Sequence, residues 1–176
     1  LLFFGQSIAT AEDFDLGKKG TLSMDLPKGW RAEFQALADV GANVTVRPEG
    51  TLNMACKITV LFLPEPKDLT PEETLENWKR TLSPMASGSV EKTPKTIKLQ
   101  LKKGFGFYAI FTDASLIGKP PEPRNYKISA PGMIKLNKET LLATTLFSDD
   151  KDSKEFAALV KMLESVQLHV AVPPSI

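Results

Sequence analysis

The chain has 176 residues, 42% of them apolar and 24% charged, with a formal net charge of +1. That length supports one domain with a real core, and the balance matches soluble globular proteins. Near-neutral charge and arginine scarce beside lysine argue against a general nucleic-acid binder, which needs a marked basic excess and Arg for phosphate and base-edge contacts.

In chain order, Leu1–Ala11 is uncharged and largely apolar and ends Ala9-Thr10-Ala11. Small residues at the first and third of those positions fit a signal-peptidase site before Glu12. Residues 1–11 therefore read as the remnant of a signal peptide without its basic front. The alternative is a short buried first strand. The expected product is exported, periplasmic or secreted, with no transmembrane segment, because no later run approaches the ~20 apolar residues of a span. Cys56 is the single cysteine, so no internal disulfide is expected.

Asp13–Lys19 reads as a polar lead-in. Thr21–Leu26 alternates as a strand, Pro27-Lys28-Gly29 is a turn, and Trp30–Phe34 starts a second strand with Trp30, Ala32 and Phe34 on one face. Gln35–Gly41 is a helical turn or loop, and Asn43–Arg47 alternates with Val44 and Val46 inward. Ala55–Leu63 is β-branched and apolar. There Cys56 shares a face with Ile58, Val60 and Phe62, as a small buried hydrophobe rather than a nucleophile.

Thr70-Pro71-Glu72-Glu73 is a helix start, with Thr at the N-cap, Pro at N1 and Glu closing a capping box. Leu75, Trp78, Leu82 and Met85 form one stripe, and Pro84 predicts an end near Ser83. Thr96–Lys102 is an amphipathic strand with Ile97, Leu99 and Leu101 on one side. The lysines at 95, 98, 102 and 103 read as a solvated flank or as protection of an edge, with binding of an anionic surface as the alternative. Lys103–Asp113 puts Phe105, Phe107, Ala109 and Phe111 on one face and Gly104, Gly106, Tyr108 and Ile110 on the other. Neither face is charged before Asp113, so it is expected near the centre of a sheet. Gly118–Asn125 is a proline-stiffened loop. Tyr126–Ala130 and Met133–Leu136 follow as strand segments interrupted at Pro131-Gly132. Asn137-Lys138-Glu139 is a hairpin turn and Thr140–Phe147 a third strong strand. Asp149–Glu155 lacks the glycine of a calcium loop and reads as capping for a second helix. That helix buries Phe156, Leu159, Val160, Met162, Leu163 and Val166. A short strand over Val166–Val170 and a loose tail at 171–176 complete the chain.

The expected class is α+β, a mostly antiparallel sheet with helices packed on it, in one domain over residues 12–170. The order of elements, the stretch Ser23-Met24-Asp25-Leu26-Pro27-Lys28-Gly29-Trp30 as an opening hairpin, the capped helix from Pro71 and the closing helix Glu155–Ser165 resemble the PsbP-like superfamily. That superfamily includes the lumenal extrinsic protein of photosystem II, a Ran-binding nuclear import factor and bacterial exported proteins of unknown role. The resemblance implies an α/β/α sandwich and a small adaptor-like or ligand-binding body without catalysis.

No Gly-x-Ser-x-Gly, His-Glu-x-x-His, Walker or Rossmann pattern occurs, and one histidine, His169, excludes a poly-His metal site. No cofactor and no metal are therefore expected. Arg124 and Tyr126, beside the proline loop, are the one local group mixing Arg with an aromatic, a composition favoured at interface hot spots. They are the candidate binding residues, for a protein or small ligand. The expected function is a non-catalytic exported binding or accessory protein. The alternative is a hydrolase-type enzyme with a carboxylate-based site.

Overall fold

The computed structural model describes residues 9–170. The first strand, β1 (Thr10–Asp15), starts two residues before the expected cleavage point and takes in part of the segment read as a polar lead-in. Its signal is faint because only Phe14 of its six residues is buried. β1 pairs antiparallel with β2 (Thr21–Leu26), and β2 pairs on its other side with β11 (Gln167–His169). These three strands form a small sheet of their own.

The Pro27–Gly29 turn is present, with the Trp30 N–H donating to the Pro27 carbonyl. It does not close a hairpin. Both edges of β2 are already taken, so β3 (Trp30–Ala36) crosses to the large sheet and pairs with β4 (Gly41–Pro48). The stretch between them is strand as far as Ala36 and then a 3-10 turn over Ala38–Val40.

The large sheet also contains β5 (Ala55–Phe62), β6 (Thr96–Leu99), β7 (Phe105–Ala109), β8 (Phe111–Thr112), β9 (Ile128–Lys135) and β10 (Thr140–Ser148). Its order is β3-β4-β5-β10-β9-β7-β6, with β8 also on β9 and every pair antiparallel. β6, with Lys98 exposed on it, is an edge.

The Phe-rich stretch is thus next to the edge, not central. Its faces divide as alternation requires. Phe107, Ala109 and Phe111 join Trp78 and Leu82 in one cluster, while Tyr108 joins the main core on the other side. A helix layer on each face buries such a strand wherever it stands in the sheet, so two-sided burial carries no information about strand order. The stretch also breaks at Ile110. Tyr108 lies opposite Gly132 and Phe111 opposite Ser129, so Ala109 and Ile110 fall opposite Pro131 and Ala130. Pro131 has no N–H to donate, and the ladder lapses there. β9 itself runs unbroken through Pro131 and Gly132, because its pairing with β10 continues past both.

Helix α1 (Pro71–Gly88) opens with the expected capping box: Glu73 N–H donates to Thr70 Oγ1 at 3.2 Å, and Thr70 N–H to Glu73 Oε2 at 2.8 Å. It does not stop at Ser83 but carries Pro84 inside it. Tertiary contacts hold the last turn. Ala86 packs on the Trp78 cluster, Ser89 bridges to Asp113, and Val90 N–H donates to the Thr112 carbonyl. Met85, expected inward, is 37% exposed, and Ala86 takes its place. Just beyond, Glu91 accepts from Thr112 N–H (2.6 Å), Thr112 Oγ1 (2.8 Å) and Ser89 Oγ (2.8 Å). Partial burial pushes its carboxyl up, but these bonds together outweigh that and hold it below the usual range.

Helix α2 (Lys154–Ser165) covers the opposite face, packing on β2, β6 and β10 and burying Phe156, Leu159, Met162 and Leu163. Its N-cap is Ser153, whose hydroxyl accepts from Phe156 N–H at 3.1 Å. Of the acidic stretch read as capping, Glu155 lies in the first turn, while Asp149 is used elsewhere. No helix among the described residues is long and apolar enough to cross a membrane. The fold is α+β: a mostly antiparallel sheet with a helix on each face. Most of residues 1–11 and all of the 171–176 tail lie outside the described residues.

Candidate functional site

α1 covers only the β7–β9 end of its face. Alternation therefore leaves the β3-β4-β5-β10 end uncovered, presenting Arg31 and Glu33, then Asn43, Thr45 and Arg47, then Lys57 and Thr59, then Thr145 and Phe147. At one corner of this surface the 50–54 loop and the proline loop rise to enclose an open concavity of about 490 Å³. Arg31, Glu33 and Arg47 form its sheet side. Arg124 and Tyr126 line it from the proline loop, so the structure brings both sequence-derived candidates to one place.

The loop is held by a latch the sequence did not reveal. Asn53 Oδ1 accepts from Arg124 N–H at 2.9 Å, and Asn53 Nδ2 donates to the Glu122 carbonyl at 3.0 Å and to Asp149 Oδ2 at 2.8 Å. The other oxygen of Asp149 accepts from Lys127 N–H at 3.1 Å. One amide and one carboxylate thus tie three loops together. Arg124 itself sits at φ 64°, a left-handed conformation that side chains other than glycine rarely adopt and that persists only when surrounding contacts impose it. Its side chain is exposed.

Tyr126 does not enter β9, which begins at Ile128. Half-buried, it packs on Phe147 with ring centroids 5.1 Å apart, and Lys57 Nζ lies 5.8 Å from the centre of that Phe147 ring. Sequence reasoning missed Arg31, Arg47, Asn53 and Asp149 as neighbours of the loop. Positions 31 and 47 are equidistant from Asp39, the middle of the Ala38–Val40 turn, so a hairpin folded there sets them opposite each other.

Elsewhere the chemistry is sparse. Burial pushes the Cys56 thiol far up, which disfavours the thiolate, and His169 stands on β11 in the other sheet. Among the described residues no group of His, Cys, Asp or Glu is arranged to hold a metal ion.

No family model matches the sequence, and no curated protein matches it. The structure is similar to the solution structure of cyanobacterial PsbP (CyanoP) from Synechocystis sp. PCC 6803, with a TM-score of 0.55 and 10% identity, covering 94% of this chain and 96% of that one. At that identity the likeness concerns the backbone alone. It agrees with the layers described above: the chain has a PsbP-like fold.

Proposed function

We propose that the chain is a non-catalytic binding or accessory protein, exported, that engages a protein or small ligand through the loop carrying Arg124 and Tyr126. One observation carries the reading: a loop stiffened by Pro120, Pro121 and Pro123 is latched by Asn53 and Asp149 so that Arg124 is presented at a strained φ beside a concavity. Ordering paid for during folding is not charged again on binding. Strain of this kind clusters at ligand sites. The hydrolase alternative calls for two carboxylates converging with raised pKa. In this molecule Asp68, Glu76, Glu91 and Asp113 are all held below the usual range. Glu33, in the concavity, is paired with Arg47 at 3.3 Å.

The test is the double variant Arg124→Ala/Tyr126→Ala. Its melting temperature is expected to fall by only about 2–4 °C, the shift that ~1 kcal/mol produces in a chain of this size. Capture of partners from periplasmic extract is expected to be lost. A fall of many degrees with capture unchanged makes the loop a scaffold element and ends the proposal.

Export rests on residues 1–11. Cleavage before Glu12 takes away Thr10 and Ala11, which are exposed, and leaves the buried Phe14 opposite Leu22. Amino-terminal sequencing of the native protein should begin at Glu12, and recovery of Leu1 or Phe3 refutes this.

A further inference from the structure

Only four of the 22 basic residues are arginines, Arg31, Arg47, Arg80 and Arg124. Three of the four line the same concavity, and no lysine does. Arg31 and Arg47 come from the one β3–β4 hairpin, and Arg124 comes from the distant proline loop, so the fold alone brings the third to the pair. Arg31 and Arg47 are Cα partners in the β3–β4 ladder and share a face. Directly opposite residues stand about 4.5–5.5 Å apart at Cβ, and like charges there repel. Glu33 offsets this only in part, through one contact to Arg47 Nη1 at 3.3 Å. Among the described residues Arg31 and Arg124 have no carboxylate within ion-pair distance.

A repulsive cross-strand pair on the wall of a concavity that a third arginine also lines violates the local rules of a stable sheet, and such violations mark functional sites. We infer that this concavity binds a soluble phosphomonoester, its phosphate held between Arg31, Arg47 and Arg124. The inference rests on the loop being the binding site and adds the chemistry of what it takes. Arginine rather than lysine is the residue for planar, bidentate contact to phosphate. Glu33 and Glu122 also line the wall and leave it only a small positive excess, so a phosphate dianion is attracted about twice as strongly as a singly charged carboxylate. Leu52, Met54 and Tyr126 supply apolar wall for the organic part, and about 490 Å³ lies within the range of small-molecule sites.

The experiment is titration of the full chain with inorganic phosphate, phenyl phosphate and benzoate, followed by amide chemical shifts. Saturable shifts of the 31, 47 and 124 amides are expected with both phosphates, tighter for phenyl phosphate, and at least tenfold weaker with benzoate. Arg31→Gln, Arg47→Gln and Arg124→Gln should each weaken phenyl phosphate binding about tenfold or more, the loss of a charge-assisted hydrogen-bonded contact. Arg80→Gln, on the exposed side of α1, should leave it unchanged, and all four variants should melt near the parent.

Absence of saturable shifts, equal weakening by Arg80→Gln, or binding to phosphatidylglycerol vesicles without any response to phenyl phosphate overturns the assignment. The two readings of the loop separate cleanly. No phosphate binding with partner capture intact refutes the phosphate site and leaves the loop as a protein-binding element. Phosphate binding without capture supports the site and refutes a protein partner.

Discussion

Phe107→Ala is expected to destabilise the fold by ~3–5 kcal/mol, the cost of removing a buried aromatic and leaving a cavity, while Lys98→Ala changes stability by no more than about ±0.5 kcal/mol. The contrast is sharp because the two residues are direct cross-strand partners, Lys98 on the edge strand and Phe107 on its neighbour. Phe107 is 5% exposed and packs on Trp78 with ring centroids 5.1 Å apart and planes tilted by 48°. Aromatic pairs so arranged contribute about 0.5–1.5 kcal/mol beyond buried area.

The consequence extends to α1, whose adhesion to the sheet is the small cluster of Trp78, Leu82, Phe107, Ala109 and Phe111. A helix interrupted by Pro84 has little stability of its own, so loosening the cluster should also lower helix content before global unfolding. Urea melts followed by circular dichroism measure both effects. Similar losses for the two variants would show that the faces of β7 are assigned the wrong way round.

What could be read in the sequence was what is decided locally. Alternation placed Val44, Val46, Ile58 and Val60 on the core side, and the capping box at Thr70 is a matter of four consecutive residues. What could not be read was decided between elements. Pro84 discourages a helix at Ser83, yet the Ser89 bridge to Asp113 and the docking of Ala86 hold one through it. The rank of the Phe-rich stretch in the sheet depends on which strands follow the helices, not on its own side chains. Ser23–Trp30 has the composition of a hairpin, but β1 and β11 occupy the edges where the second strand would pair.

The candidate site shows the same division. Arg124 and Tyr126 were visible as neighbours in sequence. Arg31 and Arg47 join them only through strand register. Asn53 and Asp149, which hold the loop, are ordinary polar residues until the loops they tie are brought together.

Gly104 gives a test of backbone geometry with an internal reference. Gly104 and Gly29 have nearly the same positive φ, 78° and 77°. Around Gly29 an added Cβ meets nothing within 4 Å, whereas at Gly104 it overlaps the backbone carbonyl of Lys135. Alanine at either position therefore incurs the strain of a positive φ, about 1–2 kcal/mol, and only at Gly104 is there a clash as well. That clash cannot be relieved by turning a side chain, because its partner is backbone. Relief requires β7 to part from β9 at the rung where Phe105 faces Lys135, which loosens the strand that carries Phe107. Gly29→Ala should thus cost ~1–2 kcal/mol and Gly104→Ala ~3–5 kcal/mol in urea melts. Amide exchange should quicken along Phe105–Phe107 in the second variant only. Equal losses would mean that the turn from β6 into β7 does not press against the end of β9 in solution, and that Gly104 is present only for its φ.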